Sequence, residues 1–88
     1  MEATLAAATQ LRVLVRSSGV EGVPGVRVRR AQARGPDDLE LVVEDRREPG
    51  DEVLESRGIR FYMDAATAAE LRNTTLDLSG RAFVFTEA

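Results

Sequence analysis

Two hydrophobic periods divide the chain. From Thr4 to Arg16, Leu5, Ala8, Leu11, Leu14 and Val15 recur at spacings of three and four, with Gln10, Arg12 and Arg16 off that stripe. This is the period of an amphipathic helix. Thr4 is placed to cap its first turn, because a hydroxyl there accepts from an otherwise orphaned amide, and Ser17, Ser18 and Gly19 end the run. A helix this short does not hold in water by itself, so the stripe needs an apolar surface beneath it.

From Pro24 onward the period falls to two, the signature of strands with one buried face. Val26 and Val28 alternate with Arg27 and Arg29, and Leu39, Leu41 and Val43 alternate with Glu40, Val42 and Glu44. The cluster Gly35-Pro36-Asp37-Asp38 between them predicts a hairpin loop, and Glu48-Pro49-Gly50-Asp51 predicts a type II turn. Val53 to Ser56 reads as a strand, broken at Gly58, and Ile59, Phe61 and Met63 alternate with Arg60 and Tyr62. Asp64 caps a short helix over Ala65 to Leu71. Thr75 to Leu78 and Ala82 to Phe85, around Ser79-Gly80-Arg81, predict a closing hairpin. The order is helix, four strands, short helix, two strands: an α+β chain that is mostly β. Phe61, Phe83 and Phe85 fall at core positions, and Tyr62 is expected in the sheet with its hydroxyl at the surface.

Composition narrows the chemistry. Eighty-eight residues make one domain, expected to span 1–88, with 43% hydrophobic residues, 31% charged residues and only four aromatics, so the core is aliphatic. The chain has no Cys, His, Lys or Trp, and its twelve positive side chains are all Arg. Disulfides, thiolate or imidazole metal ligands, Ser–His relays, Schiff bases and a P-loop lysine are all excluded. Carboxylates, hydroxyls, one phenol and arginines are left, which favours a binding or structural protein over an enzyme. We expect no catalytic residue, no resident cofactor and no metal site. No apolar run approaches the ~20 residues of a membrane span and no leader-like segment opens the sequence, so the expected location is cytoplasmic and no membrane is involved.

The charges change the picture locally. Residues 1–35 carry six arginines and two acids, whereas residues 36–70 carry four arginines and eleven acids, within a net charge of −3. Arg27, Arg29, Arg30 and Arg34 therefore admit two readings: a basic patch for an anionic ligand or an acidic protein, or cross-strand pairing with Glu40 and Glu44 inside the first hairpin. No aromatic residue stands near these arginines to stack a base, and the net charge is negative, so nucleic acid is not the expected partner. The acidic run Glu44, Asp45, Glu48, Asp51, Glu52 and Glu55 lacks the spacing of a calcium loop and is interrupted by Arg46 and Arg47. It reads as a solvated loop.

Several local strings, in their order, resemble the HesB/IscA-like family, the A-type carriers of iron–sulfur cluster biogenesis. Ala7-Ala8-Thr9-Gln10-Leu11-Arg12-Val13-Leu14 is similar to the opening helix of that family and Gly25-Val26-Arg27-Val28 to its first core strand. Glu48-Pro49-Gly50-Asp51 resembles the acidic proline turn, and Arg57-Gly58-Ile59-Arg60-Phe61-Tyr62-Met63-Asp64 the glycine-led strand ending in Asp. Thr75-Leu76-Asp77-Leu78 and Phe83-Val84-Phe85 resemble the closing hairpin. The resemblance implies mixed sheets folded into a sandwich or flattened pseudo-barrel, with the N-terminal helix over one open side. It also implies a Cys in the first hairpin loop and a Cys-x-Cys pair after the last strand, holding iron or the cluster. Here the loop reads Arg34-Gly35-Pro36-Asp37, and the sequence reaches Ala88 without the pair. The expectation is a cysteine-less relative acting as a non-catalytic scaffold or accessory, with a protein partner and a homodimer as its associations. The alternative is a small module that recognises an anion through the arginine patch.

Overall fold

In the computed structural model, residues 1–22, 24–30 and 39–87 are described. The elements are β1 (Glu2–Ala3), α1 (Leu5–Ser17), β2 (Gly25–Arg30), β3 (Leu39–Glu44), β4 (Glu52–Ser56), β5 (Ile59–Met63), α2 (Ala65–Glu70), β6 (Thr74–Ser79) and β7 (Ala82–Glu87). They form two mixed sheets, one of order β3-β2-β5-β4 and one of order β1-β6-β7. The fold is α+β and mostly β, with an N-terminal helix and one short helix, as expected.

Alternation sorts the four-stranded sheet into two faces. Val26 pairs with Val43 and with Phe61, and Leu54 pairs with Phe61, so these residues share the inner face. Arg27 pairs with Val42 and with Tyr62, and Val53 with Tyr62, on the outer face. The core draws on both sheets and α1: Ala7, Ala8 and Leu11 from the helix, Val26, Val28, Ile59, Phe61 and Met63 from the larger sheet, Ala3 and Leu76 from the smaller. Phe83 and Phe85 pack against this cluster half-buried, while Phe61 lies fully inside.

Three expectations are corrected. The buried stripe of α1 is Ala7, Ala8 and Leu11 with Val15 packed alongside, whereas Leu5 is 62% exposed and Leu14 40%. Two adjacent alanines let the helix backbone approach the sheets closely, and that close approach sets its rotation in place of the leucines. A two-residue strand, β1, precedes the helix and runs parallel to β6, with Glu2 opposite Thr75 and Ala3 opposite Leu76. Two residues carry no readable period, so only their partner makes them a strand. Tyr62 lies in the sheet but is 3% exposed, because its ring covers Gly25. A Cβ on Gly25 would stand 2.7 Å from the ring carbon Cζ, so the site admits no larger residue without a shift.

The local signals hold elsewhere. Thr4 caps α1, its Oγ1 accepting from the Ala7 amide at 3.2 Å, and Asp64 caps α2, its Oδ1 accepting from the Thr67 amide at 2.7 Å. Gly50 takes φ +86° and the Asp51 amide donates to the Glu48 carbonyl at 3.0 Å, which closes the expected turn.

Candidate functional site

The cluster of charge singled out in the sequence centres on Arg27, in the middle of the outer face of the four-stranded sheet. Its backbone is fixed between β3 and β5, so its guanidinium must find partners on that face or be buried unpaired. It finds two. Nε donates to Glu44 Oε1, and the two terminal nitrogens donate to the two carboxylate oxygens of Asp51, Nη1 to Oδ1 at 3.1 Å and Nη2 to Oδ2. The Arg27 and Asp51 side chains are only 7% and 4% exposed, with Glu44 at 25%. Asp51 is presented by its own turn, where Oδ2 also accepts from the Glu48 amide at 2.7 Å. The Arg27 hydrogen bond holds the Asp51 carboxyl below its usual range against the opposing effect of burial, and the same hydrogen bond raises the Arg27 pKa further. This pair is a satisfied buried fork and presents no free cation to a ligand.

The other arginines of the proposed patch are divided between surroundings. Arg29 lies on the outer face and pairs with Glu40, its partner across the β2–β3 ladder, in an exposed contact. Arg30, on the opposite parity, pairs with Glu70 at the end of α2. Arg34, together with Gly35, Pro36 and Asp37, lies outside the described residues. Opposite charge across the hairpin was legible from alternation; Asp51 and Glu70 were not, being 24 and 40 residues from their partners.

Arg30 at the end of β2 is held to Glu70, and Glu87 at the end of β7 pairs with Thr74, just beyond the α2–β6 connection. The end of β2 and the end of β7 therefore both border α2 and the start of β6. A soft iron–sulfur cluster at this end would require thiolates or imidazoles. The sequence has no Cys and no His, and among the described residues no group of three or more acidic, Cys or His side chains is arranged to hold a metal ion. The donor set does not fit such a cargo. Among the described residues no helix is long and apolar enough to cross a membrane.

No family model matches the chain, and no curated protein matches it. Solved structures do. The chain is similar to Escherichia coli SufA, a protein involved in biosynthesis of iron–sulfur clusters, with a TM-score of 0.74, 23% identity, and coverage of 98% of this chain and 83% of that one. It is similar to IscA carrying a [2Fe-2S] cluster, with a TM-score of 0.68, 27% identity, and coverage of 99% and 85%. A protein from Aquifex aeolicus matches with a TM-score of 0.74, 20% identity, and coverage of 98% and 89%. The resemblance read from the sequence holds in the fold: this is an IscA-like architecture on a chain without cysteine.

Proposed function

We propose that the chain is a non-catalytic scaffold or accessory of iron–sulfur cluster assembly, acting through protein contacts in the cytoplasm and as a homodimer. The observation that carries this reading is the pairing of a likeness spanning 98% of the chain, to a protein of that biosynthesis, with a sequence that has no thiolate to hold the cargo. A fold that lacks soft donors leaves protein contacts, not cargo binding, as its use in such a pathway.

Anaerobic incubation of the purified chain with ferrous iron and sulfide, followed by desalting and absorption spectroscopy, tests the absence of cargo. The expected result is no retained chromophore; a stoichiometric cluster would overturn the reading. Affinity capture from the native cell tests the pathway. Enrichment of cluster-assembly proteins supports it, and their absence from a capture that recovers other specific partners removes it. Light scattering at micromolar concentration is expected to give twice the 9.6 kDa chain mass, and a monomer would remove the homodimer.

A further inference from the structure

Arg27, Arg29 and Arg30 are engaged by carboxylates from other elements or across the ladder, whereas Arg46, Arg47 and Arg60 have no such partner among the described residues. Arg47 and Arg60 make no ion pair among the described residues, and Arg46 pairs only with its neighbour Asp45, at 3.3 Å and in an exposed position. All three line a single cleft of about 500 Å³. Its construction follows from the strand register. Arg60 and Tyr62 point to the outer face of β5, and their partners on β4 are Glu55 and Val53. The segment carrying Arg46 and Arg47 is tied onto this face at its far end, where Asp51 grips Arg27. Val53, 45% exposed, and Tyr62 form the apolar side of the cleft, and Asp45 and Glu55 its acidic side.

Three guanidiniums against two carboxylates give the lining of this cleft one net positive charge, although Arg46 and Arg47 also face Glu21, Glu44 and Glu48 in the adjoining cleft. Glu55 faces Arg60 across the ladder without forming an ion pair, and the exposed Asp45–Arg46 contact is weak enough for a ligand to displace. A planar fork presents paired donors that match phosphate oxygens, and those of Arg47 and Arg60 form no ion pair among the described residues, Arg47 acting on Asp51 only at longer range. Exposed aliphatic surface beside them suits a ligand whose anion carries an apolar group. We propose that this cleft binds a small phosphate monoester, the phosphate accepting from Arg47 and Arg60 and recruiting Arg46, and the ester group lying against Val53. The assignment is independent of any role in cluster assembly.

Calorimetric titration of the full chain with phenyl phosphate, inorganic phosphate and benzoate tests it. Phenyl phosphate is expected to bind saturably and more tightly than either of the others, with affinity falling as salt is added. Arg47→Gln and Arg60→Gln are each expected to weaken it about tenfold, while Arg81→Gln, in the distant β6–β7 turn, leaves it unchanged. Val53→Ser is expected to weaken phenyl phosphate and spare inorganic phosphate. Thermal melts matching the parent chain establish that the variants fold. The proposal is overturned by the absence of saturable binding at millimolar phenyl phosphate, by benzoate binding as tightly, or by equal affinity in the parent, R47Q and R60Q.

Discussion

Arg27 is the one charged residue among the described ones that is buried as a whole, and its two acids answer different needs. Asp51 takes both terminal nitrogens and Glu44 takes Nε, so the buried guanidinium is satisfied on three sides. Removing Asp51 would leave part of that charge dry and unpaired, a class of change that costs ~3–5 kcal/mol when no partner survives. Because Glu44 survives, Asp51→Asn is expected to cost about 2 kcal/mol, read as a lower urea midpoint at neutral pH. Replacing Arg27 by Met, which removes the charge and keeps the volume, is expected to cost less than Arg27→Ala.

The pH dependence of this contact has a definite sign. The Asp51 carboxyl lies below its unfolded-state value of ~3.9, chiefly through the Arg27 hydrogen bond. Its contribution is therefore complete above that unfolded value and declines as pH falls through the lower folded-state value. The stability gap between the parent chain and D51N should be constant from pH 5 to pH 7 and shrink below about pH 4. A gap that widened on acidification would contradict the assignment. Gly25 supplies a steric counterpart: Gly25→Ala forces a Cβ into the Tyr62 ring and is expected to cost ~1–3 kcal/mol, and Tyr62→Leu should make the same substitution cheaper. A double-mutant cycle measures that coupling.

At the scale of elements, single residues join pieces that are far apart in sequence. Thr4 caps α1 and also donates from Oγ1 to Asp77 Oδ1 on β6 at 2.8 Å, while its amide donates to the Leu76 carbonyl at 2.9 Å. The capping hydroxyl thus orients the helix on the smaller sheet. The Thr4 hydrogen bond is also the first cause of a lowered Asp77 pKa. Thr4→Ala is expected to destabilise by about 1 kcal/mol through the cap, and to raise the Asp77 pKa in a carboxyl-carbon NMR titration. Thr4→Ser, which keeps the hydroxyl, should restore both. The β4–β5 turn has a similar double role. Arg57, at φ +50°, is the only described non-glycine residue in the left-handed region, and Gly58 follows at φ +80°. Its carbonyl accepts from Arg12 Nη2 at 2.6 Å and its own Nε donates to the Ala3 carbonyl at 3.1 Å. Arg57→Gly relieves the backbone and removes the Ala3 contact, effects of about 1 kcal/mol each in opposite directions, so its net change should be close to zero. Arg57→Ala removes the contact alone and should lower the melting temperature.

Across the whole molecule, the parallel pairings decide the shape. β2 pairs with β5 instead of continuing a simple meander, and β1 pairs with β6 across most of the chain length. The amino terminus is consequently structural: Met1 and Ala3 are buried, the Ala3 amide donates to Ser56 Oγ at 3.0 Å, and the Met1 ammonium donates to the Arg72 carbonyl at 3.3 Å. Deleting residues 1–3 removes an edge strand and a buried methionine. The expected loss is ~2–4 kcal/mol from apolar burial and the pairing together, visible as a lower urea midpoint. The same architecture brings the end of β2 and the end of β7 to one junction beside α2 and the start of β6.

The sequence by itself determined what contiguous residues can decide. Periods of 3.6 and 2, the Thr4 and Asp64 caps, and the glycine of the 48–51 turn are short-range signals, and each reappears in place. Composition also settled the absence of thiolate and imidazole, which no folding can restore. The tertiary structure alone decided the rotation of α1, because close packing of Ala7 and Ala8 outweighed the larger stripe of leucines. It also decided that Asp51 and Glu70 capture arginines distant in sequence, that Tyr62 is buried over Gly25, and that Arg46, Arg47 and Arg60 share one cleft. These outcomes depend on which surfaces meet, and a linear pattern of charge that marks partners within one hairpin does not encode those a side chain finds beyond it.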